Sequence, residues 1–169
     1  MRNPLATALL VLMVGCGFSG KIKKLESYEK DHYYALKVWM EKADQKAYFK
    51  LKTATERDAW LKANGFWDRF YQYDERQRTA ILNGDVAVGF KQDQVFMAWG
   101  EPHQRNRLTG RAAERSELLT YRFEVDDDGN VLVWVPNSKT ANGAAEKYAL
   151  QLYMDDAVVT EIVRKDGWE

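Results

Sequence analysis

Catalysis needs an acid, a base, a nucleophile or a set of metal ligands held in mutual reach. Residues able to supply these are sparse in this chain. The two histidines, His32 and His103, stand 71 positions apart. With Cys16 as the only cysteine, they fall short of the three or four ligands a zinc ion takes, so no metal is expected. Asp126-Asp127-Asp128-Gly129-Asn130 offers carboxylates of the kind calcium favours. It lacks the EF-hand spacing and the bidentate Glu at the twelfth position, and reads instead as a hairpin turn. Ser19, Ser27, Ser116 and Ser138 lie in no Gly-x-Ser-x-Gly elbow, and there is no Gly-rich phosphate loop. No catalytic residue, no cofactor and no enzymatic activity is therefore assigned. One further stretch remains, His103 to Arg115, which carries Arg105, Arg107, Arg111 and Arg115. Guanidinium forks match phosphate and carboxylate geometry. The loop either contacts lipid phosphate or an acidic partner, or forms a solvated connection, the commoner fate of such segments.

The elements that would position these residues change character along the chain. From Glu26 to Lys52, Tyr33, Leu36, Met40, Ala43 and Ala47 recur at helical spacing beside Trp39, with no Gly or Pro between, which predicts one helix. Thr53-Ala54-Thr55-Glu56 is a capping box opening a helix at about 54 to 63, stopped by Asn64-Gly65. Another helical stretch runs from Arg76 to Leu82 and stops at Asn83-Gly84. Between them Trp67, Phe70, Tyr71 and Tyr73 crowd together, the pattern of a core more than of a ligand cage. Val86 to Gly89 reads as a short extended run, and Lys91 to Trp99 as a short helix with Val95, Ala98 and Trp99 on one face. Gly100 caps it and Pro102 prevents continuation. Leu118 to Val125 and Val131 to Val135 form a hairpin about the Asp126–Asn130 turn, followed by a polar loop from Asn137 to Glu146. Lys147 to Met154 and Val158 to Arg164 form a second hairpin about Asp155-Asp156. Helices first and antiparallel strands later predict an α+β fold, with N-terminal helices, a short helix and a small sheet of two hairpins.

The lone cysteine closes the first apolar run. Arg2, the stretch Leu5 to Val14 and Gly15 describe an export signal, too short for a membrane span of roughly 20 residues. Met13-Val14-Gly15-Cys16 resembles the lipobox of bacterial lipoproteins. That resemblance implies a signal peptide over 1–15, removed after Cys16 is acylated, and a tether over 16–25. Gly17, where a retention signal would place Asp, implies the outer membrane, facing the periplasm. Loss of Arg2 leaves 24 basic residues against the 25 acidic ones, a charge of about −1 that predicts no nucleic-acid partner. Six Trp, nine Tyr and seven Phe are enough to build a core without a disulfide. The helical segment spans 26–84 and the helix-plus-sheet domain 85–169, packed as one unit, because Trp39, Trp60 and Trp67 would otherwise leave large apolar patches in water.

Val86, Gly89, Gln94-Val95, Gly100 and Pro102, followed by strands, resemble the BamE/SmpA-like family of small outer-membrane lipoproteins of the barrel-assembly machinery. That family's phrase runs V-x-x-G-M-T-x-x-Q-V-x-x-x-L-G-x-P. Phe90, Lys91 and Trp99 depart from it, and Tyr148 to Val158 echoes the family's closing strand. The likeness covers residues 85–165. Leu51 to Leu61 with Trp67-Asp68-Arg69 is similar to the helical lead of GWxTD-domain proteins, without their signature. These resemblances imply an envelope assembly or scaffolding component with a protein partner in the envelope and the membrane reached through Cys16. The alternative is a small-ligand or lipid-binding module, with Trp67, Phe70, Tyr71 and Trp99 lining its pocket.

Overall fold

A computed structural model describes residues 18–136 and 143–168. The expected lipidation at Cys16, the signal segment before it, and residues 137–142 of the polar loop lie outside the described residues. The chain has the α+β fold, with seven α-helices followed by five strands among the described residues.

The helices are α1 (Ser19–Ile22), α2 (Ser27–Leu36), α3 (Lys42–Tyr48), α4 (Ala54–Ala63), α5 (Phe66–Tyr71), α6 (Glu75–Asn83) and α7 (Gln92–Trp99). Side-chain caps set most of the starts. Thr53 Oγ1 accepts from the Glu56 amide at 3.2 Å while Glu56 accepts from the Thr53 amide at 3.1 Å, and Asp74 and Gln77 do the same for α6. The single helix expected from Glu26 to Lys52 is in fact broken. After α2 the chain tightens into a 3-10 turn (Lys37–Trp39), Met40 turns extended at ψ 123°, and Glu41 with Asp44 caps α3. The break turns Ala43 out to solvent and buries Tyr48 in its stead. From Phe18 on, the expected tether is folded, since Phe18 stacks on Phe49 with centroids 5.0 Å apart and Leu25 joins the core.

The strands are β1 (Gln104–Leu108), β2 (Ser116–Val125), β3 (Val131–Val133), β4 (Glu146–Asp155) and β5 (Val158–Asp166). All pairings are antiparallel in the order β1-β2-β4-β5, with β3 also on β2. β1 pairs with Ser116–Thr120 and β3 with Phe123–Val125, so the two share one flank of β2 end to end. Both expected hairpins are present. The second turns at Asp156 and Ala157, with φ of 48° and 64°, as a tight two-residue turn between twisted strands demands. β1 is an addition, a strand where a loop was expected, and Val86 to Gly89 is not a strand. Gly89 and Phe90 exchange hydrogen bonds of 2.8 Å with Val159, which covers only the start of the outer flank of β5.

Leu119, Tyr121 and Phe123 of β2 lie opposite Leu152, Leu150 and Tyr148 of β4 on the face turned to the helices. α7 is wedged between that face and the other helices, and Gln94 to Trp99 are all buried, beyond the single stripe expected. Its end is clamped on two sides. Trp99 Nε1 donates to the Gly84 carbonyl at 2.9 Å, and Tyr121 Oη donates to the Gly100 carbonyl at 2.9 Å. The Trp99 ring meets Tyr121 and Phe123 edge to face, each 5.1 Å away. One hydrophobic cluster runs from Leu25 to Val159 through both layers.

Candidate functional site

The clamped end of α7 is also the wall of a cleft. Where α7 stops at Gly100, a cavity of about 460 Å³ remains. Phe18 just before α1, Ile22 of α1, Tyr33 to Val38 in part, Gln45 of α3, Ile81 and Leu82 of α6, and Met97 to His103 line it. Trp134, Val135 and Pro136, beyond β3, complete the lining. Its volume lies in the range of small-molecule sites, which are mostly apolar with a few placed polar groups.

The polar groups here are few and differ in state. The Tyr33 hydroxyl donates to Gln45 Oε1 at 3.1 Å, and Gln45 Nε2 donates to the Met40 carbonyl at 3.1 Å, so both are engaged. Burial pushes the Tyr33 hydroxyl up to about 12, and it stays neutral. His103 is exposed and sits edge-on to Trp134 at 5.2 Å. Lys37 is different. Its ammonium lies 4.9 Å from the centroid of the Tyr34 ring, and no carboxylate pairs with it among the described residues. Burial alone pushes it down to about 8, with no charged neighbour contributing. At pH 7 it is still mostly charged. A cation facing an apolar cavity without a counter-ion is costly, and an incoming anion would relieve that cost.

The four arginines do not converge on one patch. Arg105 forks Glu117 through Nε at 3.0 Å and Nη2 at 2.7 Å, and Arg115 reaches the same carboxylate at 3.0 Å. The hydrogen bond from Arg105 leads in holding Glu117 down to about 2. Arg111 forks Asp155 at 2.8 and 2.6 Å, tying the connection between β1 and β2 to the turn after β4. Arg107, exposed on β1, has no ion pair among the described residues. Three guanidiniums thus hold the edge of the sheet in place, and one is free.

The aromatic group of α5 lies away from the cleft, which takes only Trp99 of the four rings expected to line a pocket. Trp67 and Tyr71 stack at 4.2 Å and pack with Phe70 around His32, which is 4 % exposed. His32 Nε2 is 2.7 Å from the Tyr71 hydroxyl, and Nδ1 is 3.6 Å from Asp58. This carboxylate–imidazole–hydroxyl series joins three helices. Burial lowers the His32 pKa, against the pull of Asp58, and raises that of Tyr71. It is a strut. Spacings of 26 and 39 residues gave no sign of it. The Asp126 carboxylate is likewise engaged within its turn, accepting from the amides of Asp128 and Asn130 at 3.0 and 2.8 Å.

Among the described residues, no group of three or more His, Cys, Asp or Glu could hold a metal ion, and no helix is long and apolar enough to cross a membrane. No family model matches the chain, and no curated protein or solved structure matches it either.

Proposed function

We propose that this chain is a non-enzymatic component of the bacterial envelope, anchored through lipid on Cys16, that binds an apolar ligand in the cleft between helices and sheet. The observation that carries the reading is the 460 Å³ cavity at the end of α7, walled largely by apolar side chains beside the hydrophobic core. The export signal and the lipobox support the location, on the outer membrane facing the periplasm. The test is titration with a neutral, environment-sensitive dye such as N-phenyl-1-naphthylamine. The wild type should take up the dye, and Val38→Trp, which fills the cavity from a half-buried wall, should abolish uptake while leaving circular dichroism unchanged. Equal uptake by both proteins refutes the reading. Mass spectrometry of the envelope-extracted chain tests the anchor, and an unmodified Cys16 thiol refutes it.

A second reading, the assembly or scaffolding role implied by the resemblance of residues 85–165, is favoured by the outer flank of β5. Beyond Val159 that flank makes no further backbone hydrogen bond among the described residues, and an extended partner segment can add there as a strand. A photo-reactive residue at Lys165 should then crosslink an envelope protein, whereas one at Thr120 should not. Absence of any protein adduct at Lys165 rejects this role.

A further inference from the structure

We infer that the ligand of the cleft is a single-chain amphiphile with a carboxylate head, its acyl chain along the apolar wall and its head on the Lys37 ammonium. The inference rests on the ligand-binding reading above and adds the chemical class. Three observations converge on it. The cavity is walled by Ile22, Leu82, Met97 and Trp99 along its length, which suits a hydrocarbon chain. Its one cation without a carboxylate partner among the described residues is Lys37, which lies in the 3-10 turn and is set against the Tyr34 ring. Finally, Tyr33 and Gln45, which also line the cleft, are spent on each other and on the Met40 carbonyl.

The number of charges selects the head. A single ammonium compensates a single negative charge, so it suits a carboxylate. A phosphate monoester carries nearly two charges and calls for forked or multiple donors. No arginine is among the residues lining the cleft, and Arg105, Arg111 and Arg115 are turned to Glu117 and Asp155 on the sheet. Glu101, which also lines the cleft, makes no contribution to the state of Lys37, so it does not stand in as counter-ion. Cationic or uncharged amphiphiles would leave the Lys37 charge unrelieved.

The experiment photolabels the full chain with a diazirine derivative of dodecanoate, maps the adducts by mass spectrometry and competes the label with unlabelled amphiphiles of equal length. Adducts are expected on the peptides carrying Leu82 and Met97. Dodecanoate should compete at least tenfold better than dodecanol or dodecyltrimethylammonium, and competition should strengthen about fourfold per methylene until the cavity is full. Lys37→Met should reduce the preference for dodecanoate over dodecanol to about twofold or less, and Lys37→Arg should keep it. Cleft labelling with dodecanol competing as well as dodecanoate overturns the assignment of the head and leaves the apolar cleft standing. No cleft labelling overturns both. Labelling that appears only in Cys16→Ser means the chain's own acyl group fills the cavity, and overturns the free ligand.

Discussion

Arg57→Met is the most informative single change to the helical layer. Glu29 of α2 is 1 % exposed, and Arg57 Nε of α4 lies 2.5 Å from its Oε1. Arg57 Nη1 also donates to the Leu51 carbonyl at 2.8 Å, while Glu29 Oε2 accepts from the Glu26 amide at 2.9 Å. Removing the guanidinium leaves a buried carboxylate without its counter-ion, which costs about 3–5 kcal/mol. Against a total stability of roughly 5–15 kcal/mol this is a large fraction. In urea, with a slope of about 2 kcal/mol/M, the midpoint should fall by about 2 M. Glu29→Gln keeps the cap of α2 but removes the charge, so it should cost less than Arg57→Met. The double variant Glu29→Met/Arg57→Met should recover much of the loss, because no stranded charge remains. Burial, the largest single influence, would raise the pKa of Glu29, but the hydrogen bonds from Arg57 and the Glu26 amide together with the Arg57 charge outweigh it and hold the value below 4.5. The stabilisation is therefore complete above about pH 4.5 and lost as pH falls through the depressed folded-state value. Tryptophan-detected urea unfolding at pH 7 and pH 3 measures all of this. A loss under 1 kcal/mol for Arg57→Met, or a double variant as weak as the two losses added, refutes the argument.

Three other outcomes follow from the geometry. Trp99→Phe leaves the Gly84 carbonyl without its donor in the core and should cost about 1–3 kcal/mol by chemical denaturation. It should also change dye uptake, since the ring borders the cavity. Glu117, at about 2 in the folded chain and 4.5 unfolded, should add stability above pH 4.5 that disappears between pH 4.5 and 2. Arg105 and Arg115 are exposed, so Glu117→Gln should remove only on the order of 1 kcal/mol at pH 7 by thermal melting. Ala157→Gly, at φ 64°, should raise stability by about 0.5–1 kcal/mol in the same assay, because glycine takes that backbone without strain.

Local chemistry explains which parts of the fold were legible in the sequence. Thr53 with Glu56, Asn64-Gly65, Asn83-Gly84 and Gly100 before Pro102 each act within a few residues, and each sits at a helix boundary. The break at Met40 was hidden because Glu41 and Asp44 cap α3 in a stretch that also reads as continuous helix. β1 was hidden because Gln104-Arg105-Asn106-Arg107-Leu108 has no apolar alternation; its pairing with β2 and the forks onto Glu117 hold it as a strand. The crowding of Trp67, Phe70, Tyr71 and Tyr73 was visible, but not that His32 fills its centre. The cleft is assembled from α1, α2, α3, α6, the end of α7 and the exit of β3. Nothing within any one of these segments marks it. Lys37 carries no local signal of its place, which tertiary packing half-buries beside the cleft.

The partly covered outer strand bears on how copies behave when crowded together. An exposed row of amides and carbonyls invites sheet-to-sheet zippering, the first step to fibrils. Here Glu161, Arg164, Lys165 and Asp166 stud that row with both signs of charge, and the Arg164–Glu146 pair fastens one of them down. Two such margins brought together in register would oppose like charges at several positions, so the molecule can be concentrated on a surface without fusing into ribbons.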